Sequence, residues 1–320
     1  MKSIVGFAPS GGRLLPGAGR DTAAGSPLND SRTWPLLSLV AAGLAFAGSA
    51  VALSVDSIYA DLTPAFLDQA LAQDVANLVV IAPAMAASAV LARRASLRAR
   101  MIWLGTAAFT VYNYLIYTLA VPFGPLFPLW IAVLGLSLFA LIGGLTSLDV
   151  AAAAARFTSR SAVVASAWSL MVVAGLFGLL WLSEDVPALI NGTMPQSALD
   201  LALPTQPVHV LDYAFFLPAA ITSGVMLLRR RAFAFPVTVS FLVFLLLTCL
   251  PILLTPVVQA ARDQHAVWDI TVPVGPLALG LLALLLWLLR TVRAAGPEPP
   301  TRSSRSTFPV PLPDGVRPWS

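Results

Sequence analysis

The sequence predicts an all-α fold: a polytopic transmembrane helix bundle of eight spans with both termini cytoplasmic. Three observations predict it. Of 320 residues, 58% are hydrophobic and 11% charged, against about 25% charged in an ordinary soluble domain. The mean hydropathy is +0.83, which excludes a water-soluble globule and excludes disorder over most of the length. The basic residues are gathered into alternate segments between apolar blocks.

A helix crossing a hydrocarbon core of about 30 Å needs about 20 apolar residues. Residues 34–55, 75–92, 101–121, 125–148, 161–182, 208–228, 233–258 and 272–289 supply eight such blocks. They are continuously apolar rather than alternating, so they read as helices and not as barrel strands. In lipid each backbone amide must be paired within its own segment, which leaves such a run one conformation.

Residues 1–33 read as a disordered cytoplasmic tail, rich in Gly, Pro, Ser and Asp. The apolar residues 4–8 after Lys2 are too short for the core of a secretory signal. The first span is therefore expected to direct insertion. The eight-helix domain runs from 34 to 293, and residues 294–320, with seven prolines, read as a disordered cytoplasmic tail.

Charge tests the count of spans. The segments before the first block, between the second and third, fourth and fifth, sixth and seventh, and after the eighth hold eighteen of the nineteen basic residues. Only Arg262 falls on the other side. The positive-inside rule then makes the number of spans even and places both ends in the cytoplasm. Ten of the fifteen acids lie on or near the opposite, outer face, favouring a neutral or cationic ligand there. The net charge of +4 carries no basic stripe interleaved with aromatics, so no nucleic-acid partner is expected. The partner that composition does require is the lipid bilayer. Trp34, Trp103, Trp181, Trp268 and Trp287 near block ends read as interfacial anchors.

Two connections are long enough to cap the outer face, residues 56–74 and 183–207. In the first, Thr63-Pro64 reads as an N-cap followed by proline at the first helical position. The helix it starts is expected to lie on the membrane surface and run into the second span. Phe66, Leu67, Ala70 and Leu71 share its apolar face, opposite Asp68 and Gln69. No repeat of 20–50 residues and no inverted repeat between the halves is visible.

Ionisable residues within spans are functional candidates. Measured from the cytoplasmic arginines at helical rise, Asp74, Tyr117 and Asp212 lie about 26–28 Å up their helices, and Asn113 about 20 Å. Asn77 shares a face with Asp74, Tyr117 with Asn113, and His209 with Asp212. If these faces converge, the six residues line a polar, outward-facing pocket. The function expected is binding of a small molecule or lipid. A small-solute facilitator, or a membrane-embedded enzyme acting on a lipid or quinone, are the alternatives. His209 and Asp212 supply two metal ligands at most and no further ligand is evident, so no metal is assigned. No motif identifies a cofactor.

Three stretches stand out: Gln73-Asp74 with Pro83; Trp103-Leu104-Gly105 with Tyr112, Tyr114 and Tyr117; and Pro204-Thr205-x-Pro207-Val208-His209-Val210-Leu211-Asp212 with Leu217-Pro218 and Arg229-Arg230-Arg231. In these the chain resembles a family of bacterial multi-spanning integral membrane proteins known only as hypothetical membrane proteins. The resemblance covers residues 60–260, with Gln206 standing where the family has Asn. It implies the cytoplasmic membrane of a bacterium and supplies no activity.

Overall fold

The computed structural model describes residues 33–94 and 96–293. Apart from Thr33, the two tails expected at 1–33 and 294–320 lie outside the described residues. The helices are α1 (Trp34–Ser54), α2 (Pro64–Ala76), α3 (Ala82–Arg93), α4 (Leu97–Ala120), α5 (Phe127–Thr146), α6 (Val150–Ala154), α7 (Arg160–Asn191), α8 (Gln196–Asp200), α9 (Pro207–Leu211), α10 (Leu217–Leu228), α11 (Ala234–Ala261) and α12 (Thr271–Thr291). No strand occurs among the described residues; Phe157 and Val292 form an isolated bridge.

Helix starts follow local chemistry. The Thr63 hydroxyl accepts from the Phe66 amide, Ser96 from Ala99, Asp149 from Ala152 and Ser159 from Ala162, each filling a donor that the first turn leaves unpaired. At the far end of α7, Gly192 closes the helix at φ 65°, a left-handed value that glycine adopts without a Cβ clash.

Seven continuous rods are long and apolar enough to cross a bilayer: Trp34–Ser54, Pro64–Arg93, Phe127–Thr146, Arg160–Asn191, Pro207–Leu228, Ala234–Ala261 and Trp268–Thr291. The chain is thus a multi-pass helical membrane protein. The eighth expected span is α4, long enough at 24 residues but less apolar. Its polar side chains face inward: Thr106, Thr110, Asn113, Tyr114 and Tyr117 are all buried. Large apolar side chains point outward elsewhere, among them Phe139, Leu176, Leu179 and Leu279, as a lipid-facing surface requires.

The expected helix behind Thr63 is present and, as expected, runs into the second span, forming with it the single rod Pro64–Arg93. It passes through a π turn at Asn77–Ile81 straight into α3. A second π turn, Asp212–Phe216, joins α9 to α10. Both have one cause. Pro83 and Pro218 each stand two residues past a π turn, and a proline ring within a helix clashes with the carbonyl four residues back and offers no N–H. Widening the turn relieves both, and the residue before each proline instead bonds five back, Ala82 to the Asn77 carbonyl and Leu217 to that of Asp212.

Eight of the helices form two four-helix rings of the same connectivity. In the first, α1 and α4 each pack against α3 and α5; in the second, α7 and α11 each pack against α10 and α12. This parallel repeat was invisible as a sequence pattern. It lies in helix order and in the two π-turn–proline units, and those side chains are mostly unlike. The rings meet where α11 packs on α4 and α2.

The α4–α11 contact is close because Gly105 has no side chain. A Cβ there would lie 2.6 Å from the Ser240 carbonyl oxygen and 2.7 Å from the Val243 Cβ. Ser240 Oγ donates to the Met101 carbonyl at 2.9 Å across the same seam. Gly105→Val should therefore destabilise by about 3 kcal/mol, the upper range for overpacking. Gly280 meets nothing within 4 Å, so Gly280→Val is the lipid-facing control and should melt near wild type in detergent. Equal melting temperatures for the two variants would disprove the close seam.

Candidate functional site

Two polar clusters lie at the end of the bundle that carries the long connections. In the first, Asp74 on α2 is enclosed by hydroxyls from three other segments. Its Oδ1 accepts from Ser49 Oγ on α1 at 2.8 Å and from Tyr117 Oη on α4 at 3.0 Å; its Oδ2 accepts from Tyr59 Oη at 2.6 Å. All four residues are buried. A carboxylate removed from water is tolerable only when donors replace its hydration. Tyr59 is delivered by a 3₁₀ turn, Asp56–Tyr59, after the chain extends at Val55. Burial, and then the facing carboxylate, push its phenol far above the ordinary value, so it stays a donor. Asn77 lies one turn on, and its Oδ1 accepts from Gln73 Nε2 at 3.0 Å.

The second cluster is built on α7, α9 and the π turn after it. Asp212, the first residue of that turn, accepts from Tyr112 Oη at 2.9 Å and from Trp181 Nε1 at 2.8 Å. His209 Nδ1 is 3.0 Å from both oxygens of Asp185, and Tyr213 Oη donates to Asp185 at 2.9 Å. Trp181 stacks on the His209 ring with centroids 4.4 Å apart. Trp181, expected as a membrane anchor, also commits its indole N–H to Asp212, whereas Trp103, expected likewise, is fully buried and donates to Ser38 Oγ, so for it the anchor reading fails. Tyr112 and Asp185 were also missed. Trp181 and Asp185 are four apart, hence on one helix face, and that spacing was the available signal.

Arg262, which stands apart from the other basic residues, has an explanation too. Arg262 pairs with Asp68, which is buried and not on a solvent face as the α2 pattern suggested. Gln259 Nε2 donates to the same carboxylate at 3.3 Å and its Oε1 accepts from the Val267 amide at 3.0 Å. Thr63 Oγ1 donates to the Asp200 carbonyl at 2.7 Å, joining the two long connections.

Between the rings opens a cavity of about 510 Å³. Phe109, Phe177, Phe216, Phe244 and Leu277 form its apolar wall, and Gln73, Asn113, Gln206, His209 and Asp212 its polar one. Of the six residues expected to share a pocket, the structure brings Asn113, Tyr117, His209 and Asp212 to this cavity. Asp74 and Asn77 are not on its wall. Tyr117 accounts for the division: its ring lines the cavity while its hydroxyl points back to Asp74. Asn113 is buried, and its Nδ2 has no hydrogen-bond partner among the described residues. Among the described residues no three His, Cys, Asp or Glu side chains converge to hold a metal ion.

Asp74 should thus behave as a structural residue. Asp74→Leu strands three buried hydroxyls at about 1–3 kcal/mol each before relaxation, so it should lower the melting temperature sharply. Asp212→Asn, beside open space, should cost less. A reversed order in thermal unfolding of the detergent-solubilised protein would contradict this division.

Compared with known proteins, the chain matches no family model, no curated protein and no solved structure.

Proposed function

We propose that this is an eight-span protein of a bacterial cytoplasmic membrane, both termini cytoplasmic, that binds an amphipathic small molecule or lipid in an outward-facing cavity. The observation that carries the reading is a cavity lined chiefly by aromatic and aliphatic side chains with a few polar groups among them, the unused Asn113 amide included. Pockets for small molecules have this character, apolar in the main with a few placed polar groups. The aromatic wall suits an acyl or prenyl chain. Asp212 and Glu184 at the polar side favour an uncharged or cationic head. Asn113, Tyr117, His209 and Asp212 contact the ligand, and Asp74 with Asn77 supports the wall from behind. The eighteen-to-one split of basic residues supports the orientation, and the segment 204–212 supports the bacterial setting.

A facilitator is the second reading, favoured by one observation: the cavity lies where two rings of like connectivity meet, and transporters often place substrate between such repeats. An enzyme reading draws on the His209–Asp185 pair, a base and its orienting carboxylate.

Cys249, the single cysteine, lines the cavity and reports on all of this. A membrane-impermeant cationic thiol reagent should modify it in spheroplasts and not in inverted vesicles. Decyltrimethylammonium should protect it, with protection weakened about tenfold in Asp212→Asn, the loss of one charge-assisted contact. Modification from both sides would favour the facilitator. No modification from outside, or no protection by the amphiphile, would end the binding proposal.

A further inference from the structure

The opposite end of the bundle holds a second cavity, of about 190 Å³. It lies between the last turn of α3, the first turn of α4 and the short α6, and three arginines line it: Arg93, Arg100 and Arg156. One carboxylate, Asp149, shares the wall, but its Oδ1 is occupied in capping α6, where it accepts from the Ala152 amide at 2.9 Å. None of the three arginines forms an ion pair among the described residues.

We propose that this cavity binds a phosphoryl group, carried either by the head group of an anionic lipid or by a small phosphate. Topology alone accounts for arginines at this end of the helices, but not for the way Arg100 is held. Its Nη2 donates to the Ser147 carbonyl at 2.9 Å and to Ser147 Oγ at 2.6 Å, which fixes the guanidinium. Its Nε is buried and has no acceptor among the described residues. An unpaired guanidinium N–H in such a place is costly unless an acceptor arrives. A phosphate oxygen is the acceptor that a guanidinium fork and two further arginines would recognise. The N-terminus of α4, a helix of 24 residues capped by Ser96, adds its positive end to the same wall. Three cations against one carboxylate leave a net charge suited to a mono- or dianion. The location, at the ends of membrane-crossing helices, is where basic pockets meet lipid head groups.

The ligand would also tie two parts of the fold together. Arg156 belongs to the connection between the rings, whereas Arg93 and Arg100 belong to the first ring. The Arg156 carbonyl accepts from the Arg293 amide at 2.9 Å, so a phosphate here would bear on the end of α12 as well.

The test uses the full chain in a non-ionic detergent, with thermal stability read against added dioctanoyl-phosphatidylglycerol, dioctanoyl-phosphatidylcholine and inorganic phosphate. A saturable rise with phosphatidylglycerol alone identifies a lipid head group. A comparable rise with inorganic phosphate identifies a free anion. In either case the half-saturating concentration should rise at least about tenfold in Arg93→Gln/Arg156→Gln, the loss of charge-assisted bonds. Arg100→Lys, which keeps the charge and removes the Nε donor, should also weaken binding. The proposal is overturned if neither probe stabilises the protein, if phosphatidylcholine acts as well as phosphatidylglycerol, or if the variants respond like wild type. This site shares no residue with the first cavity, so the two proposals stand or fall separately.

Discussion

A carboxylate inside an apolar bundle must collect donors from whatever surrounds it, and that constraint organises one whole end of this protein. Asp74, Asp212 and Asp68 are each satisfied by groups from other segments. Ser49, Tyr59 and Tyr117 enclose Asp74; Tyr112 and Trp181 hold Asp212; Arg262 and Gln259 hold Asp68. Because the donors are remote in sequence, each acid ties helices together where hydrophobic packing could not. Between helices in lipid the hydrophobic effect supplies little drive, so packing and polar contacts must hold the bundle.

The two rings meet this constraint unequally. Asn77 and Asp212 both open a π turn six residues before a proline, and Asp74 and His209 both stand three residues earlier. In the first ring the connection after α1 is short, and its 3₁₀ turn drops Tyr59 onto Asp74. In the second ring the corresponding connection is longer, and its helix α8 bonds outward to Thr63. No tyrosine from that connection closes over Asp212, and space is left beside it. The cavity thus follows from loop length as much as from side-chain choice.

That difference explains what the sequence could and could not reveal. Lipid solvation writes itself into composition, so helical class and span positions could be read from apolar runs. The block at 101–121, which is α4 in the structure, could be read in the same way, although it faces helices on several sides and its Thr, Tyr and Asn side chains lower its apolarity. Depth arithmetic placed Asp74, Asn113, Tyr117 and Asp212 near one level; in the structure Tyr117 bonds Asp74, and Asn113, Tyr117 and Asp212 line one cavity. Depth fixes height along a helix and not direction around it, so Asp74 and Asn77 could not be separated from the other four. Nor could the partners of Asp68 and Asp212 be read, since Arg262 and Trp181 lie 194 and 31 residues away. The parallel repeat escaped notice because a π turn is a backbone event that leaves only a proline and a spacing behind.

The two halves of the bundle along its axis are held by different forces. Toward the arginine-rich end, helices pack closely at Gly105, Gly144 and Gly224, where a Cβ would lie 2.6 Å from the Ser240 carbonyl oxygen, the Trp103 ring and the Met171 side chain respectively. Many weak dispersion contacts act there together, and they are lost steeply with separation. Toward the cavity, cohesion rests on a few directional bonds around Asp74, Asp185, Asp212 and Asp68. Those that cross between the rings, Tyr112 to Asp212 and Gln259 to Asp68, can be exchanged for a ligand or water at small net cost, since the gain from one such bond over hydration is modest. Any opening between the rings is therefore easier at the cavity end than at the glycine seam. The seam at Gly105 and Ser240 is where the rings would remain in register while it happens.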